Sequence, residues 1–364
     1  MNENKIIKIV IIYSGARYFG GIETYLKQLF ALIDENKFQL VLFSLGNWPL
    51  SDYLQKAGKK VIILSGKRIR PETISEITEY IEKNSIDLVV SQGIVANFYA
   101  RMASKKTGVP NLVTLHSDMK YEYSNPLKRF VFSLSEKLLN KNTKYYIAVS
   151  RYLKNCLIEK GIKEKKISVV YNCIEQTSIP VSRKYNDKIS RIGSVGRLHQ
   201  VKGFDSLISA IAILRDEPIV LTIWGEGEER RKLEALIKDL GLSEKVFLPG
   251  FNPDINKAIM DIDIYVQPSL NEGFGLSVVE ALSLGAPVIV TPVGSLTELV
   301  DNDKNGLVTR DNSPEALARV IKKLIDDPGL AEKIGKKASQ DTRVRFSTKR
   351  WITETEKIYF KVAK

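Results

Sequence analysis

The chain has 364 residues and a formal charge of +13, length enough for two ordinary domains with buried cores. Its two cysteines, Cys156 and Cys173, form no CxxC pattern, which argues against a disulfide scaffold and a structural zinc site and fits a reducing cytoplasm. No stretch approaches the roughly 20 apolar residues of a transmembrane helix, so any membrane contact is expected to be peripheral.

The charge is unevenly spread. Residues 1–180 hold 27 Lys and Arg against 16 Asp and Glu, a net +11, which leaves a net +2 for the remainder. Such an asymmetry fits an anionic partner, nucleic acid or membrane headgroups, and equally fits plain solubility in a Lys-rich chain.

The first half alternates short apolar runs with segments of helical period: IIKIVIIY, ETYLKQLFALI, FQLVLFSL, VIILS, PETISEITEYIEKN, DLVVS, a helix from about Val95 to Lys106, and NLVTLH. Continuous apolar strands read as parallel and covered on both faces. YYIAVS, a helix near Arg151–Lys160 and ISVVYN follow, then a polar, Pro-interrupted linker at about 173–188. A second series begins with RIGSVGRL and runs through IVLTIWG, VFLPG, IYVQPS, PVIVT and GLVT, with helices between. Ser313, Pro314 and Glu315 read as N-cap, N1 proline and first-turn acid of one of the closing helices. Two doubly wound α/β domains are expected, the first over 1–175 and completed by a helix at 347–364, the second over 188–346. Ligands of such sheets bind at the strands' carboxyl ends, so the two domains are expected to face across a cleft.

In PSLNEGFGLSVVEALSLG, Gly273, Phe274 and Gly275 form a strand-to-helix turn flanked by Glu272 and Glu280. Bare backbone and the helix N-terminus at Gly275, Leu276 and Ser277 suit a phosphate; carboxylates there would repel one and suit hydroxyls instead. A phosphorylated sugar or nucleotide satisfies both. GSVGRLHQVKG supplies fixed positive charge through Arg197 and Lys202, where Arg forks onto phosphate oxygens and Lys acts as a point charge; His199 in the same loop carries no expected role. Near the N-terminus Gly20 and Gly21 precede another helix, and the segment does not spell G-x-G-x-x-G. His116 ends a strand, where a catalytic and a structural histidine are equally expected. Asp261-Ile262-Asp263 reads as a helix end leading into a strand rather than as a metal site, so no metal or other cofactor is expected.

Taken in order, GGIE, His116, VGRLHQVKG, IWGEGEE, EGFGLSVVE and GAPVIVTPVGSLTELV resemble family 4 of the nucleotide-sugar-dependent, retaining glycosyltransferases, of GT-B architecture with two Rossmann-like domains. The resemblance implies a nucleotide diphosphate sugar, with UDP-sugars favoured, held mainly by the C-terminal domain, and a saccharide or lipid-linked acceptor held mainly by the N-terminal one. Arg197 and Lys202 would bind the diphosphate, Glu272 the donor sugar hydroxyls and Glu280 the ribose hydroxyls. Backbone at Gly273 to Ser277 would meet phosphate, Gly20 and Gly21 would pack close to it, and His116 would lie by the transferred sugar. A sugar-nucleotide 2-epimerase or a phosphorylase of the same architecture stands as the alternative, and a non-catalytic nucleic-acid-binding protein as a remoter one. The sequence departs from the family pattern at Ser91-Gln92-Gly93, at Cys173 and at Gly294-Ser295.

The segment NPLKRFVFSLSEKLLNK places Leu127, Phe130, Val131, Leu134 and Leu138 on one helical face and Lys128, Arg129, Lys137 and Lys141 elsewhere. It fits a core-facing helix at least as well as a helix lying on an anionic membrane. On the membrane reading the protein is cytoplasmic and peripheral on the inner face, with a lipid-linked acceptor and a role in surface polysaccharide or glycolipid assembly.

Overall fold

A computed structural model describes residues 5–64, 70–121, 136, 139–175 and 190–363. The chain divides into two compact units: Met1–Cys173 with Thr348–Lys364, and Ile174–Ser347. Most of the expected linker, residues 176–189, and most of the basic amphipathic segment 125–141 lie outside the described residues.

The first unit holds a seven-stranded sheet built from β1 (Ile7–Tyr13), β2 (Phe38–Ser44), β3 (Val61–Ile63), β4 (Leu88–Gln92), β5 (Asn111–Leu115), β6 (Tyr145–Ala148) and β7 (Ile167–Val169). The strand order is β3-β2-β1-β4-β5-β6-β7, all parallel. The continuous apolar run of β1 follows from burial on both faces: Ile7, Ile9, Ile11 and Tyr13 enter one core, Val10 and Ile12 the other. The helix Thr348–Ala363 brings the chain's end back to the first of these cores. Its buried Trp351, Thr355, Ile358, Tyr359 and Val362 fall on one helical face. Removing a fully buried ring of Trp351's size costs about 3–5 kcal/mol.

The second unit repeats the plan with β8 (Ser190–Val195), β9 (Ile219–Trp224), β10 (Val246–Gly250), β11 (Ile264–Gln267), β12 (Val288–Val290) and β13 (Leu307–Val308). Its parallel order, β10-β9-β8-β11-β12-β13, reverses direction between β8 and β11, as that of the first sheet does between β1 and β4. Those reversals are the topological switch points where open α/β sheets bind ligands. Ser313 caps the helix Pro314–Asp326 by accepting from the Ala316 N–H at 3.3 Å. Among the described residues no helix is long and apolar enough to cross a membrane.

Candidate active site

Two loops meet at the switch point of the second sheet. The one after β8 carries Gly196 to Gly203; the one after β11 carries Pro268 to Gly275. Strand β8 closes at Val195, two residues before Arg197. The IWGEGEE stretch supports this loop, since Leu198 N–H donates to Glu226 O and Glu229 N–H donates to Leu198 O, both at 2.9 Å. The turn Gln200–Lys202 ends on Gly203 at φ +63°, where a Cβ would stand 2.2 Å from Pro268 O. Only glycine lets the two loops approach this closely, and Leu270 N–H locks them by donating to Val201 O at 2.8 Å.

That approach sets Lys202 Nζ 2.6 Å from Glu272 Oε2. The two side chains are only 16% and 13% exposed, so water screens their attraction much less than it would a surface pair. A string of polar groups orients the carboxylate: Ser269 Oγ donates to Glu272 Oε2 at 3.2 Å, Gln267 Nε2 donates to Ser269 Oγ at 2.8 Å, and Tyr265 OH donates to Gln267 Oε1 at 2.8 Å. Burial holds the Tyr265 phenol far above its ordinary range, so it remains a donor. The Glu272 carbonyl accepts from Ser295 N–H at 3.0 Å, and the Ser295 hydroxyl lies 3.2 Å from Glu272 O and 2.9 Å from Phe274 O. Gly294, at φ +55°, passes so near that a Cβ would stand 2.2 Å from Glu272 O. Gly294-Ser295, a departure from the family pattern, thus cradles the backbone that presents Glu272.

Gly275, at φ +87°, caps the helix Leu276–Ser283, whose Leu276 and Ser277 N–H groups precede the first intrahelical bonds. Gly273, Phe274 and Gly275 are buried, and the Ser277 hydroxyl lies 3.4 Å from both Val195 O and Gln267 Oε1, tying the helix start to β8 and β11. Glu280 sits one turn in, where burial pushes its carboxyl up to about 7. Arg197 is exposed, and its guanidinium makes no hydrogen bond or ion pair with the described residues. It stands next to Leu198, on the loop that presents Lys202. His199 Nδ1 accepts from Val201 N–H at 3.1 Å and shapes that loop.

In the first unit, Gly20 caps the helix Gly21–Leu32, and both glycines are exposed. Glu23 spans the turn, accepting from Tyr13 OH at 2.6 Å and from Gly20 N–H at 2.8 Å. His116 follows β5 beside Gln92, the last residue of β4, and the two side chains are hydrogen bonded. Tyr25 packs edge-on to the imidazole at 5.0 Å, and burial lowers His116 to about 3, so the ring is neutral at any working pH. Asp263 of the D-x-D stretch is engaged by Arg191, whose N–H and Nη2 donate at 2.7 and 3.1 Å, at the amino edges of β8 and β11. Asp261 ends the helix Ile255–Met260.

The structure therefore gathers Lys202, Glu272, Gly273 to Ser277 and Glu280 at one edge of the second unit, with Arg197 on the adjoining loop. Gly20, Gly21 and His116 lie at the corresponding edge of the first. Sequence reading missed the Tyr265-Gln267-Ser269 string, whose signal was a polar Gln-Pro-Ser directly after an apolar strand. It also assigned no role to Gln92 beyond a departure from pattern.

The family profile described as "Glycosyl transferases group 1" matches residues 175–341, and that described as "Glycosyltransferase Family 4" matches residues 19–177. Two uncharacterized glycosyltransferases of Methanocaldococcus jannaschii resemble the chain. One is 30% identical over 255 residues, 66% of this chain and 64% of the relative; the other is 28% identical over 369 residues, 97% of this chain and 98% of the relative. The solved structure of Anabaena Alr3699/HepE in complex with UDP-glucose superposes with a TM-score of 0.85 at 21% identity, over 97% of this chain and 99% of that one. With the two profiles together spanning residues 19–341, the chain belongs to the glycosyltransferases, of family 4 type and GT-B architecture.

Proposed function

We propose that the protein transfers a hexosyl group from a UDP-sugar to a hydroxyl of a saccharide or lipid-linked acceptor, retaining anomeric configuration, in surface polysaccharide or glycolipid assembly. The observation that carries this reading is the shielded Lys202–Glu272 pair beside the Gly275-capped helix, at the switch point of the second sheet. It offers a cation and helix amides for a diphosphate and a fixed acceptor for sugar hydroxyls. The UDP-glucose in the Anabaena structure favours uridine as the base.

In this reading Lys202 turns from Glu272 to the diphosphate, joined by Arg197 and the amides at Leu276 and Ser277. Glu272 then takes donor sugar hydroxyls, Glu280 the ribose hydroxyls, and Gly20 and Gly21 let backbone lie close to phosphate. As the anomeric C–O bond lengthens, negative charge builds on the leaving diphosphate and the sugar becomes oxocarbenium-like. Each preorganised donor to that charge is worth about 10² to 10³ in rate. The acceptor hydroxyl attacks from the face the leaving group vacates, and its proton departs to a phosphate oxygen. His116 stands by the sugar as an uncharged hydrogen-bonding group. Charge neutralisation falls to protein cations and amides with no metal ion, so a chelator should leave the rate unchanged.

A thermal-shift panel of nucleotide sugars tests the donor assignment: a donor at 100 times its Kd adds about 2.7 kcal/mol of stability. The anomeric proton coupling of the product tests retention. Conversion of donor without acceptor would replace the reading with a 2-epimerase. Lipid-linked transfer predicts co-sedimentation with anionic vesicles that weakens with salt.

A further inference from the structure

Gln92 is fully buried at the end of β4, in register with Thr114 of β5. His116 directly follows Leu115, the last residue of β5, and the Gln92 amide reaches its imidazole from the neighbouring strand. The contact is made between Gln92 Oε1 and His116 Nε2. With the amide oxygen facing it, Nε2 is the ring nitrogen that carries the proton and Nδ1 the one that keeps its lone pair. The Gln92 Nε2 group is buried with no hydrogen-bond partner among the described residues.

We propose that Gln92 is the positioning residue of His116, fixing the imidazole as the neutral Nε2–H tautomer so that Nδ1 is a permanent acceptor for a sugar hydroxyl. The proposal rests on the reading that places His116 beside the transferred sugar. Its chemical sense is electrostatic. An oxocarbenium-like centre is opposed by a neighbouring imidazolium and tolerated by a neutral acceptor. A carboxylate in place of Gln92 would stabilise the imidazolium, and an apolar residue would leave the tautomer unset. Glutamine, with its oxygen toward the ring, holds the imidazole and keeps it uncharged.

The chain has two histidines, so long-range proton–nitrogen spectra of the full protein, selectively labelled at histidine, give two imidazole patterns. A His116→Ala spectrum assigns them. We expect wild-type His116 as the neutral Nε2–H form from pH 8 down to about pH 5. Gln92→Met should populate both tautomers, lower kcat about tenfold and leave the donor Kd within about twofold. Gln92→Glu should make His116 titrate between about pH 6 and 8 and add an acid limb to kcat/KM in that range. If Gln92→Glu does not fold, Gln92→Met decides. A wild-type Nδ1–H tautomer, or a Gln92→Met spectrum and titration identical to wild type, overturns the proposal. A tautomer change with transfer from a UDP-sugar unaltered leaves Gln92 as the device that sets the ring and removes His116 from the reacting sugar.

Discussion

At the switch point of the second unit the sheet edge presents opposed charges, Lys202 against Glu272, with Glu280 one helical turn away. At the first unit's switch point, and along the strand beside it, the edge offers bare glycine backbone, a glutamate already engaged by Tyr13 and Gly20, and a histidine kept neutral beside a buried amide. The strand orders correspond, so the difference lies in the loops and not in the scaffold. The excess positive charge of the sequence lies in the first half, yet the ion pair of the candidate site lies in the second, balanced half. Net charge reports on how a surface interacts at long range, whereas a site is made by a few charges that packing forces together. The charged edge, with a cation beside carboxylates, suits a diphosphate flanked by hydroxyls, and the neutral edge suits groups that need close backbone or an uncharged partner.

The sharpest way to break this division is Lys202→Ala. It removes the shielded cation and should lower kcat/KM for transfer about 10³-fold, measured as initial rates with saturating acceptor. A loss below about tenfold would mean that the second unit's edge does not carry the leaving group. Glu272→Gln should cost about 10²-fold in transfer, because the sugar hydroxyls lose an ionised acceptor. It should also tighten free UDP about fivefold by calorimetry, because Lys202 loses the counter-ion it now holds at 2.6 Å. Weaker UDP binding in that variant would show that the pair does not compete with the nucleotide.

Much of the fold was legible because strands covered on both faces cannot hide. The β1 run reads as continuous Ile and Val, and the returning helix shows its buried face in the spacing of Trp351, Ile358 and Val362. The helix Pro49–Lys56 was not read. Its N-cap position is Trp48, which offers no capping side chain, and only Leu50, Ser51 and Leu54 are buried. The carboxylates and glycines of EGFGLSVVE were legible because their chemistry is written in adjacent residues. The support of Glu272 was not, since it comes from Gln267 and Ser269 before it and from Gly294 and Ser295 more than twenty residues after it. Gln92 stands out in the sequence only as a departure from pattern, because its meaning depends on the neighbouring strand.

Gly294→Ala sharpens the comparison from the side of packing. The site lies at left-handed φ with a Cβ position 2.2 Å from Glu272 O, so alanine must displace the backbone that presents the carboxylate. We expect a loss of about 2 kcal/mol in urea unfolding and about tenfold in transfer. Gly108→Ala in the first unit is the control. It has φ +75° and nothing within 4 Å of the added Cβ, so it should cost only about 1 kcal/mol and no activity.

The smallest expected effect separates the two edges by pH. The folded-state value of Glu280, about 7, lies above the ordinary 4.5 because burial disfavours the carboxylate. At this group the native state therefore binds more protons than the unfolded chain between about pH 4.5 and 7, so Glu280 contributes stability that grows as pH falls through that window. On the proposed reading nucleotide binding uses the ionised form to accept from ribose hydroxyls, so UDP affinity should fall severalfold from pH 8 to pH 6, opposite in sense to the Glu280 contribution to stability. Calorimetry across that range checks the affinity and urea unfolding checks the stability. Glu280→Gln should flatten the affinity slope and change the stability slope by the Glu280 contribution. His116, held near 3 by burial against an ordinary 6.5, acts on stability in the opposite sense, because below about pH 6.5 the unfolded chain binds its proton and the native state does not; the Glu280 part is therefore read as the difference between wild type and Glu280→Gln. A UDP affinity that is flat with pH in wild type, alongside the expected difference in stability slope between wild type and Glu280→Gln, would leave Glu280 an acid of the second unit with no hold on the nucleotide.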